Sequence, residues 1–459
     1  MTSDRQVLAS SFRDPAGFVF SQGGLVYRQV NQVYAASYNQ LMDSGLYRAL
    51  VEKGLLVPHE EVSSIALTQG GYKIIQPAQI RFFSYPYEWC FSQFKDAALA
   101  TLRIQKIAIE HGMSLKDASS FNIQLVQGRS CLIDSLSFET FDATQPWVAY
   151  RQFCQHFLAP LALMAKTDHR LSKLALGYID GVPLDLASKL LPWTTYFSPS
   201  LLTNLHLHAK AQSKYADKAD GAVKKSNMTR FQHLAILDSL TSAIKGLTWA
   251  PGGTEWADYY TFTNYSDQTF SQKEKVVTDF IAEAGAKNLY DLGANMGHFS
   301  RLASKQGIPT YAFDIDHSAV EKNYLQIKKD KETNLFPLLL DLTAPTPAIG
   351  WANEERHNLF ERGSADVVMA LALIHHLSIS NNLPFAKVAA AFARLGQHCI
   401  IEFVPKEDSQ VKKLLATRED IFPEYDLEHF ELEFSNYFTV IKKVSLAPDC
   451  RTMFLLKRK

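Results

Sequence analysis

A glycine-containing turn in the C-terminal half of the chain has the residue types and spacing of a cofactor-binding loop. It reads DLGANMG over residues 291–297 and begins at the end of the apolar run NLYDL. Glycine at position 293 allows the backbone to pass close to a cofactor, and Gly297 allows the following helix to pack against the strand. The first amides of that helix would be available to a carboxylate. The pattern therefore predicts a cofactor site at this turn.

The spacing of the glycines separates two classes of cofactor. A dinucleotide-binding loop has the pattern G-x-G-x-x-G, whereas Asn295 here occupies the second glycine position, so a pyrophosphate could not approach as closely. About 20 residues further on, the run YAFD ends in Asp314, where a carboxylate accepts hydrogen bonds from both hydroxyls of a ribose. Asp316 is the alternative for that contact. We therefore expect a nucleoside cofactor other than NAD.

These residues resemble motif I and the following motifs of class I S-adenosylmethionine-dependent methyltransferases. The resemblance implies that Asp291 orders water or the methionine amine, and that Gly293 and Ala294 line the methionine moiety. It also implies that Asp341 accepts a hydrogen bond from the exocyclic amine of adenine while Leu342 covers the ring. The cofactor implied is S-adenosylmethionine, and we expect no metal ion. The residues assigned to the cofactor are Asp291, Gly293, Ala294, Asn295, Gly297, Asp314, Asp341, Leu342 and Ala370.

Three residues that follow or end the next two strand-like runs are candidates for contact with the methyl acceptor. His375 and His376 follow ADVVMALAL, and Glu402 lies in IIEFV. Methyl transfer from a sulfonium depends largely on alignment, since the electrophile is already activated. A hydroxyl acceptor would also need a base, and histidine is the side chain with the nearest pKa. We expect either histidine as the catalytic base and Glu402 at the acceptor; the alternative for each residue is a structural role.

A second constellation lies in the N-terminal half, in the run KDASSFN over residues 116–122. Asp117 is followed five positions later by Asn122, and Asp134 comes after two short strand-like runs separated by a glycine turn. The order resembles the catalytic loop of protein kinases. The resemblance implies that Asp117 occupies the position of the catalytic base, with Asn122 and Asp134 as magnesium ligands.

This N-terminal half departs from the kinase pattern at several positions. Leu115 and Lys116 replace the usual His-Arg before the base, and Asp134 is not followed by Phe-Gly. No G-x-G-x-x-G phosphate loop precedes it. No motif identifies the lysine that protein kinases carry on a strand upstream, and Lys73 is a candidate for it. We therefore expect a degenerate kinase-like domain that does not transfer phosphate. An active phosphotransferase is the alternative.

The elements that must position these residues alternate between strand and helix from about residue 287. Such alternation predicts a parallel sheet covered by helices on both faces, with ligands at the carboxyl ends of the strands. The last two runs, YFTVIKKVSL and CRTMFLLKR, predict an antiparallel hairpin that completes the sheet. The expected fold class is α/β: a Rossmann-like, seven-stranded methyltransferase domain preceded by an α+β kinase-like domain.

Polar composition marks the expected boundary between the two domains. Residues 209–227 are rich in lysine and contain hardly any large apolar residue, which favours a linker; a solvated helix face is the alternative. We predict a kinase-like domain over residues 1–208, a linker over 209–235 and the methyltransferase domain over 236–459. Four aromatic residues before the sheet could form a lid over the cofactor or pack in the core: Trp256, Tyr259, Tyr260 and Tyr265.

Charge and cysteine content exclude some classes of protein. Lys+Arg and Asp+Glu are both 47, so there is no net field that attracts nucleic acid or an anionic membrane. The five cysteines are scattered and form no C-x-x-C pair, which argues against disulfides and zinc. Charged residues interrupt the first 16 positions, and we find no apolar stretch long enough for a membrane helix. We expect a cytoplasmic protein.

The whole chain resembles a family of two-part bacterial proteins related to host-specific nodulation methyltransferases. The likeness lies in the runs SYPYEWCFSQFKDAAL, SLKDASSFNIQ, ALIHHL and EFVPKEDSQV. It implies methyl transfer from S-adenosylmethionine to an acceptor that is a small molecule, a glycan or a protein, recognised partly by the kinase-like domain. The alternatives are a regulatory protein that binds a nucleotide or a partner, and a bifunctional kinase–methyltransferase. The oligomeric state stays open.

Overall fold

The computed structural model describes residues 5–210, 228–252, 267–416, 418–446 and 450–459. The chain forms two compact units. The first unit comprises Met1–Ala250 together with Ala348–His357, and the second comprises Pro251–Pro347 together with Asn358–Lys459. The segment Ala348–His357 therefore belongs to the first unit, although the chain on both sides of it belongs to the second.

The first unit begins with a five-stranded antiparallel sheet in the order β1-β2-β3-β5-β4. A tight turn with positive φ at Gly23 and Gly24 joins β2 to β3, where a side chain would be strained. Two smaller antiparallel pairs, β6 with β9 and β7 with β8, follow later in the chain. The strands are β1 (Gln6–Val7), β2 (Gly17–Gln22), β3 (Leu25–Asn31), β4 (His59–Glu61), β5 (Gly71–Pro77), β6 (Met113–Leu115), β7 (Ile123–Val126), β8 (Arg129–Leu132) and β9 (Phe138–Thr140).

A 20-residue helix, α3, is buried over most of its length and forms the centre of the helical part of the first unit. The α-helices of this unit are α1 (Ala35–Asp43), α2 (Leu46–Glu52), α3 (Phe91–Glu110), α4 (Tyr150–Phe153), α5 (Ala159–Lys166), α6 (Leu174–Gly177), α7 (Leu184–Leu190), α8 (Pro199–Leu201) and α9 (Arg230–Gly246). Shorter 3-10 turns lie at Gln32–Tyr34, Pro86–Glu88, Ser120–Asn122, His169–Lys173, Trp193–Phe197 and Trp351–Asn353, and π-helical turns at Cys154–Leu158 and Leu202–Leu207.

Helix α9 packs against α3. At the C-terminal end of α9, Nζ of Lys95 on α3 donates hydrogen bonds to the carbonyl of Lys245 at 2.9 Å and to the carbonyl of Leu247 at 2.7 Å. The first unit therefore extends through Ala250, and the expected domain start at residue 236 falls inside one of its helices. Most of the expected linker, residues 211–227, lies outside the described residues.

The second unit is built on a seven-stranded sheet, as the sequence predicted. Its order is β12-β11-β10-β13-β14-β16-β15. The first five strands in this order are parallel, and β16 is antiparallel to both of its neighbours. The strands are β10 (Leu289–Leu292), β11 (Thr310–Asp314), β12 (Leu335–Leu339), β13 (Ala365–Ala370), β14 (Gly396–Phe403), β15 (Phe438–Leu446) and β16 (Arg451–Arg458).

Buried side chains of the central strands and of the first helix form the main core of the second unit. Val277, Phe280 and Ile281 pack against Leu289 and Val367 there. The helices are α10 (Asp267–Glu283), α11 (Ser300–Ser304), α12 (His317–Asp330), α13 (Phe385–Leu395), α14 (Ser409–Leu415) and α15 (Leu427–Ser435), with a 3-10 turn at Leu359–Glu361 and a π-helical turn at His376–Ser380. The strand ends of β10, β11, β12 and β13 lie at one edge of the sheet because these strands are parallel.

Some expectations from composition can be compared directly with the structure. Four of the five cysteines are buried, and Cys450 is exposed. Across the described residues, no helix is long and apolar enough to cross a membrane. The same residues contain no group of three or more metal-ligating side chains. The aromatic residues at 256, 259, 260 and 265 lie outside the described part of the chain.

Candidate functional site

A cavity of about 310 Å³ opens at the carboxyl ends of the parallel strands in the second unit. Its wall includes the glycine turn after β10, the ends of β11 and β12, and the segment that follows β13. The lining residues are Phe270, Lys273, Asp291, Gly293, Ala294, Asn295, Phe299, Phe313, Asp314, Ile315, Leu340, Asp341, Leu342, Thr343, Leu371, Ala372, Leu373, His376, Leu377, Ser380, Asn381 and Leu414.

The two glycines of the turn have different roles. Both adopt positive φ angles, 77° at Gly293 and 76° at Gly297. Gly293 lines the cavity, and a Cβ there would lie 3.1 Å from Leu373. A Cβ at Gly297 would lie 2.5 Å from the side chain of Asn323 on α12, so this glycine allows a close approach between elements. Gly297 is thus placed at a packing contact and not in the cavity wall.

The helix after the turn is short. It begins at Ser300 and contains five residues. Residues 296–299 form a turn before it. A helix this short aligns few peptide dipoles, so the expected anion site at its first amides is not present as a helix terminus.

Two carboxylates line the cavity wall, the buried Asp291 and the partly buried Asp314. Asp291 accepts a hydrogen bond from the hydroxyl of Ser300 at 2.5 Å, and burial raises the pKa of Asp291 to about 7. Asp314 accepts bonds from the backbone amides of Asn295, at 2.7 Å, and Asp316, at 2.9 Å. Burial also raises the pKa of Asp314, to about 6. A ligand bound in this cavity could donate further hydrogen bonds to both carboxylates.

The structure separates Asp314 from its alternative, Asp316. Asp314 lines the cavity, whereas Asp316 is the N-cap of α12 and accepts a hydrogen bond from the amide of Ser318 at 2.8 Å. Asp341 and Leu342 also line the cavity. One oxygen of Asp341 accepts bonds from the amide and hydroxyl of Thr343, at 2.8 and 2.6 Å, which fixes this carboxylate in a local turn.

Ala370, which was assigned to the cofactor, is instead buried within β13 at 1% exposure. The residues that line the cavity here are Leu371, Ala372 and Leu373. The strand continues through Ala370, and the chain reaches the cavity only where it leaves the sheet. Ala372 turns the chain with a φ of 48°, in the left-handed region.

The adjacent histidines occupy different environments. His376 lines the cavity, and its carbonyl accepts a hydrogen bond from Asn381 at 2.8 Å. His375 is 1% exposed, and burial lowers its pKa well below the ordinary value. The cavity wall thus contains His376, while His375 is packed behind it; the placement favours a structural role for His375.

Glu402 does not line the cavity and takes part in a buried network of ion pairs. One carboxylate oxygen accepts from Lys273 Nζ at 2.6 Å and from the amide of Ala372 at 2.7 Å. The other accepts from Arg451 at 3.3 Å, and Arg451 also binds Asp408 at 2.8 Å. Glu402 and Lys273 have side-chain exposures of 0% and 2%. The placement favours a structural role for Glu402, the alternative to contact with the acceptor.

Lys273 is a cavity residue that the sequence interpretation missed. It lies on α10 between Phe270 and Val277, at the spacing of the apolar face of an amphipathic helix. A lysine on the apolar face of a helix indicates a buried ion pair, because a buried ammonium needs a negatively charged partner. That partner, Glu402, is 129 positions away in the chain, so the sequence alone could not identify it.

The three kinase-like positions lie near one another in the first unit. Asp117 accepts hydrogen bonds from Ser119 at 2.9 Å and Gln152 at 2.8 Å. Burial raises the pKa of Asp117, and the nearby charge of Asp134 adds to this effect. The carbonyl of Asn122 accepts from the amide of residue 133 at 2.9 Å, next to Asp134.

The carboxylate of Asp134 is paired with an arginine. Arg28 on β3 donates to it at 2.5 Å, and the amide of Leu136 donates to the same oxygen at 2.8 Å. Lys73, the guess for the strand lysine, lies on β5 and pairs with Glu61 on β4 instead. The site of the expected magnesium ligand therefore already contains a positive charge.

Comparisons of the fold identify methyltransferases that resemble part of the chain. A methyltransferase from Aquifex aeolicus, described as dependent on S-adenosylmethionine (SAM), is 17% identical over 45% of this chain and all of its own, with a TM-score of 0.32. Magnesium protoporphyrin IX methyltransferase from Synechocystis PCC 6803, with bound SAH, is 16% identical over 42% of this chain and 84% of its own, with a TM-score of 0.30. The N-methyltransferase NodS from Bradyrhizobium japonicum WM9 is 8% identical over 42% of this chain and 98% of its own, with a TM-score of 0.30.

Comparison of the sequence covers the whole chain. No family model matches it. Nodulation protein NoeA from Rhizobium meliloti (strain 1021) is 34% identical over 461 aligned positions, which span 98% of this chain and 96% of that protein. Because this identity extends along nearly the full length of both proteins, the chain belongs to the NoeA family.

Proposed function

We propose that the second unit is a methyltransferase that uses S-adenosylmethionine and binds it in the cavity at the strand ends. The observation that carries this proposal is the set of three carboxylates, Asp291, Asp314 and Asp341, at the ends of three adjacent strands around one cavity. They lie beside a turn with positive φ at Gly293. Three carboxylates around one cavity favour a ligand with several hydrogen-bond donors, and this cofactor carries an amine and two ribose hydroxyls.

Each carboxylate suits a different part of the cofactor. Asp314 would accept hydrogen bonds from the ribose hydroxyls, and Asp341 would accept one from the adenine amine with Leu342 against the ring. Asp291 would order the methionine end beside Gly293 and Ala294. The backbone amide of Asn295 donates a hydrogen bond to Asp314 and so holds that carboxylate at the cavity wall.

When bound, the cofactor supplies an activated methyl group on a sulfonium, so the protein mainly needs to align the acceptor. Leu371, Ala372 and Leu373 form the wall next to the glycine turn. His376 lies beyond them and is the side chain in this wall that could accept a proton from a hydroxyl acceptor. The acceptor itself is a small molecule, a glycan or a protein.

Calorimetric titration tests this proposal directly. S-adenosylhomocysteine should bind the purified protein, and NAD should not, because Asn295 stands where a dinucleotide loop has glycine. A Gly293→Val variant should lose binding, since its side chain would meet Leu373 in the cavity wall. Preferential binding of NAD, or undiminished binding of S-adenosylhomocysteine by the valine variant, would contradict the proposal.

We further propose that the first unit is a degenerate kinase-like domain that recognises the acceptor or a partner and does not transfer phosphate. The pairing of Asp134 with Arg28 supports this, because the guanidinium neutralises the carboxylate that would hold magnesium. We expect no magnesium-dependent ATP hydrolysis above background. Turnover that is abolished by Asp134→Ala would favour the bifunctional alternative.

A further inference from the structure

A chain of buried ion pairs connects α10, β14, β16 and the N-cap of α14 in the second unit. Lys273 on α10 pairs with Glu402 on β14, Glu402 with Arg451 on β16, and Arg451 with Asp408. Two cations and two carboxylates alternate, so the chain as a whole is neutral. Asp408 is also the N-cap of α14, where it accepts from the amide of Gln410 at 2.8 Å.

Lys273, at one end of this chain, lines the cavity, and Asp408, at the other end, caps a helix that also contributes to the wall. Lys273 lines the cavity together with Phe270, one turn earlier on α10. Helix α14, which Asp408 caps, contributes Leu414 to the same wall. Between them, Glu402 binds the amide of Ala372, which also lines the cavity. The ion pairs thus connect α10, α14 and the segment after β13, each of which contributes residues to the cavity wall.

The backbone at Ala372 is the strained point of this wall. Its φ of 48° lies in the left-handed region, which disfavours alanine relative to glycine. The amide of Ala372 donates to the buried carboxylate of Glu402 at 2.7 Å, and hydrogen bonds to charged groups are stronger than neutral ones. This bond is therefore well placed to stabilise the strained turn.

The turn at Ala372 sets the position of the residues on both sides of it. Leu373 packs against Gly293, where an added Cβ would lie 3.1 Å from it. His376 follows at the start of the π-helical turn, three positions after Leu373, and its amide donates to the carbonyl of Leu373 at 3.0 Å. A shift of the turn would change both the cofactor wall and the location of His376.

We propose that Glu402 is a positioning residue of the methyltransferase site: its carboxylate holds Ala372 in the left-handed turn and so fixes the wall from Leu371 to His376. Lys273 and Arg451 pair with this carboxylate inside the protein. The proposal rests on the proposed function, because the wall that Glu402 fixes is the one expected to contact the cofactor and the acceptor.

Two double variants that differ only in the side chain at position 402 test this role. Lys273→Met with Glu402→Met removes the ion pair and the acceptor, whereas Lys273→Met with Glu402→Gln removes the ion pair but keeps an acceptor oxygen. Both leave Arg451 paired with Asp408, and replacing a buried ion pair by apolar side chains is often neutral for stability. We expect the Glu402→Met double variant to bind S-adenosylhomocysteine about tenfold more weakly than the Glu402→Gln double variant.

A third substitution separates positioning from general structural damage. Ala372→Gly removes the strain, so it should restore the affinity of the Glu402→Met double variant to within about threefold of the Glu402→Gln double variant. Val367→Ala, in the core of β13 and outside the network, serves as the control for lost core packing, and Ala372→Gly should not improve its affinity. Equal affinities of the two double variants, or no recovery with glycine, would overturn the proposal.

Hydrogen exchange at the amide of Ala372 provides a readout that does not depend on cofactor binding. This amide should exchange at least about tenfold faster in the Glu402→Met than in the Glu402→Gln double variant. If the Glu402→Met double variant does not fold, hydrogen exchange is measured on the wild type. Protection of the Ala372 amide similar to that of the amides of β13 supports the proposal, and exchange as fast as at the exposed Asn381 overturns it. Absence of S-adenosylhomocysteine binding by the wild type would refute the proposed function while leaving this measurement valid.

Discussion

Asp291 and Asp314 line the cavity, so their protonation should affect the binding of a ligand there. Burial raises the pKa of the first to about 7 and of the second to about 6. A raised carboxyl pKa means that the folded protein holds a proton that the unfolded chain releases at about pH 4. The corresponding stabilisation is fully present below that pH and is lost as the pH rises through 6 and 7. A ligand that donates hydrogen bonds to these carboxylates has the opposite preference, since it binds their ionised forms.

The affinity for S-adenosylhomocysteine should therefore rise between pH 5 and pH 7.5. Ionisation of a group with a pKa of about 6 accounts for roughly a tenfold change over this range, because only about a tenth of it is ionised at pH 5. Asp314→Asn should bind more weakly and lose the part of the dependence centred near pH 6. Calorimetric titration across this pH range measures both effects.

Asp316→Ala is the matched control for Asp314. Because Asp316 caps α12 and does not line the cavity, this variant should lose about 1 kcal/mol of stability and keep a pH-dependent affinity. The midpoint should move to lower pH, since the negative charge of Asp316 contributes to the raised pKa of Asp314. The opposite result, with Asp316→Ala weakening binding and Asp314→Asn leaving it unchanged, would place the ribose contact two residues later.

At the scale of elements, the approach of the glycine turn to helix α12 depends on the absence of a side chain at Gly297. Gly297 has a positive φ, as Gly307 does, but only at Gly297 would a Cβ meet neighbouring atoms, at 2.5 Å from Asn323. Asn323 is buried and bonded to Arg301 at 3.0 Å, so it has little freedom to move. The two glycines thus differ in packing and not in backbone conformation.

Alanine at these two positions should separate the two contributions. Gly307→Ala should lower the free energy of unfolding by about 1 to 2 kcal/mol, from the left-handed backbone alone. Gly297→Ala should lower it by at least about 1 kcal/mol more, because the added Cβ displaces Asn323. Urea denaturation of both variants measures the difference, and equal losses would show that the contact with Asn323 relaxes freely.

At the scale of the whole molecule, the boundary between the units determines which fragments should fold. Helix α9 packs against α3 in the first unit and buries Leu237, Leu240 and Ile244. A fragment that begins near Ser226 would carry this apolar face without its partner. A fragment that begins at Pro251 would not, since it contains only residues of the second unit and the segment Ala348–His357.

We expect the fragment Pro251–Lys459, with residues 348–357 replaced by a short Gly-Ser linker, to fold and to bind S-adenosylhomocysteine. The fragment that begins at Ser226 should be less soluble because of the exposed face of α9. Size-exclusion chromatography and calorimetry of both fragments test this. A soluble, cofactor-binding Ser226 fragment beside an insoluble Pro251 fragment would move the boundary to the N-terminal side of α9.

The sequence by itself determined the features that depend on neighbouring residues. The D-x-G-x-x-x-G turn predicted a glycine in the cofactor site and a glycine at a close packing contact, and the alternation of strand-like and helical runs predicted the seven-stranded sheet. Because parallel strands end at the same edge, the order of the acidic residues was enough to expect Asp314 and Asp341 near the same site. These inferences need only local geometry and the rules for parallel sheets.

Only the tertiary structure decided which side chains at the strand ends reach the cavity. The left-handed turn at Ala372 brings residues 371–373 to the wall in place of Ala370, and it brings His376 there in place of His375. The turn is bound to Glu402, which in turn binds Lys273 from a helix 129 positions earlier. Contacts between such distant positions leave no periodic pattern in the sequence, because they depend on how the elements pack and not on the residues beside them.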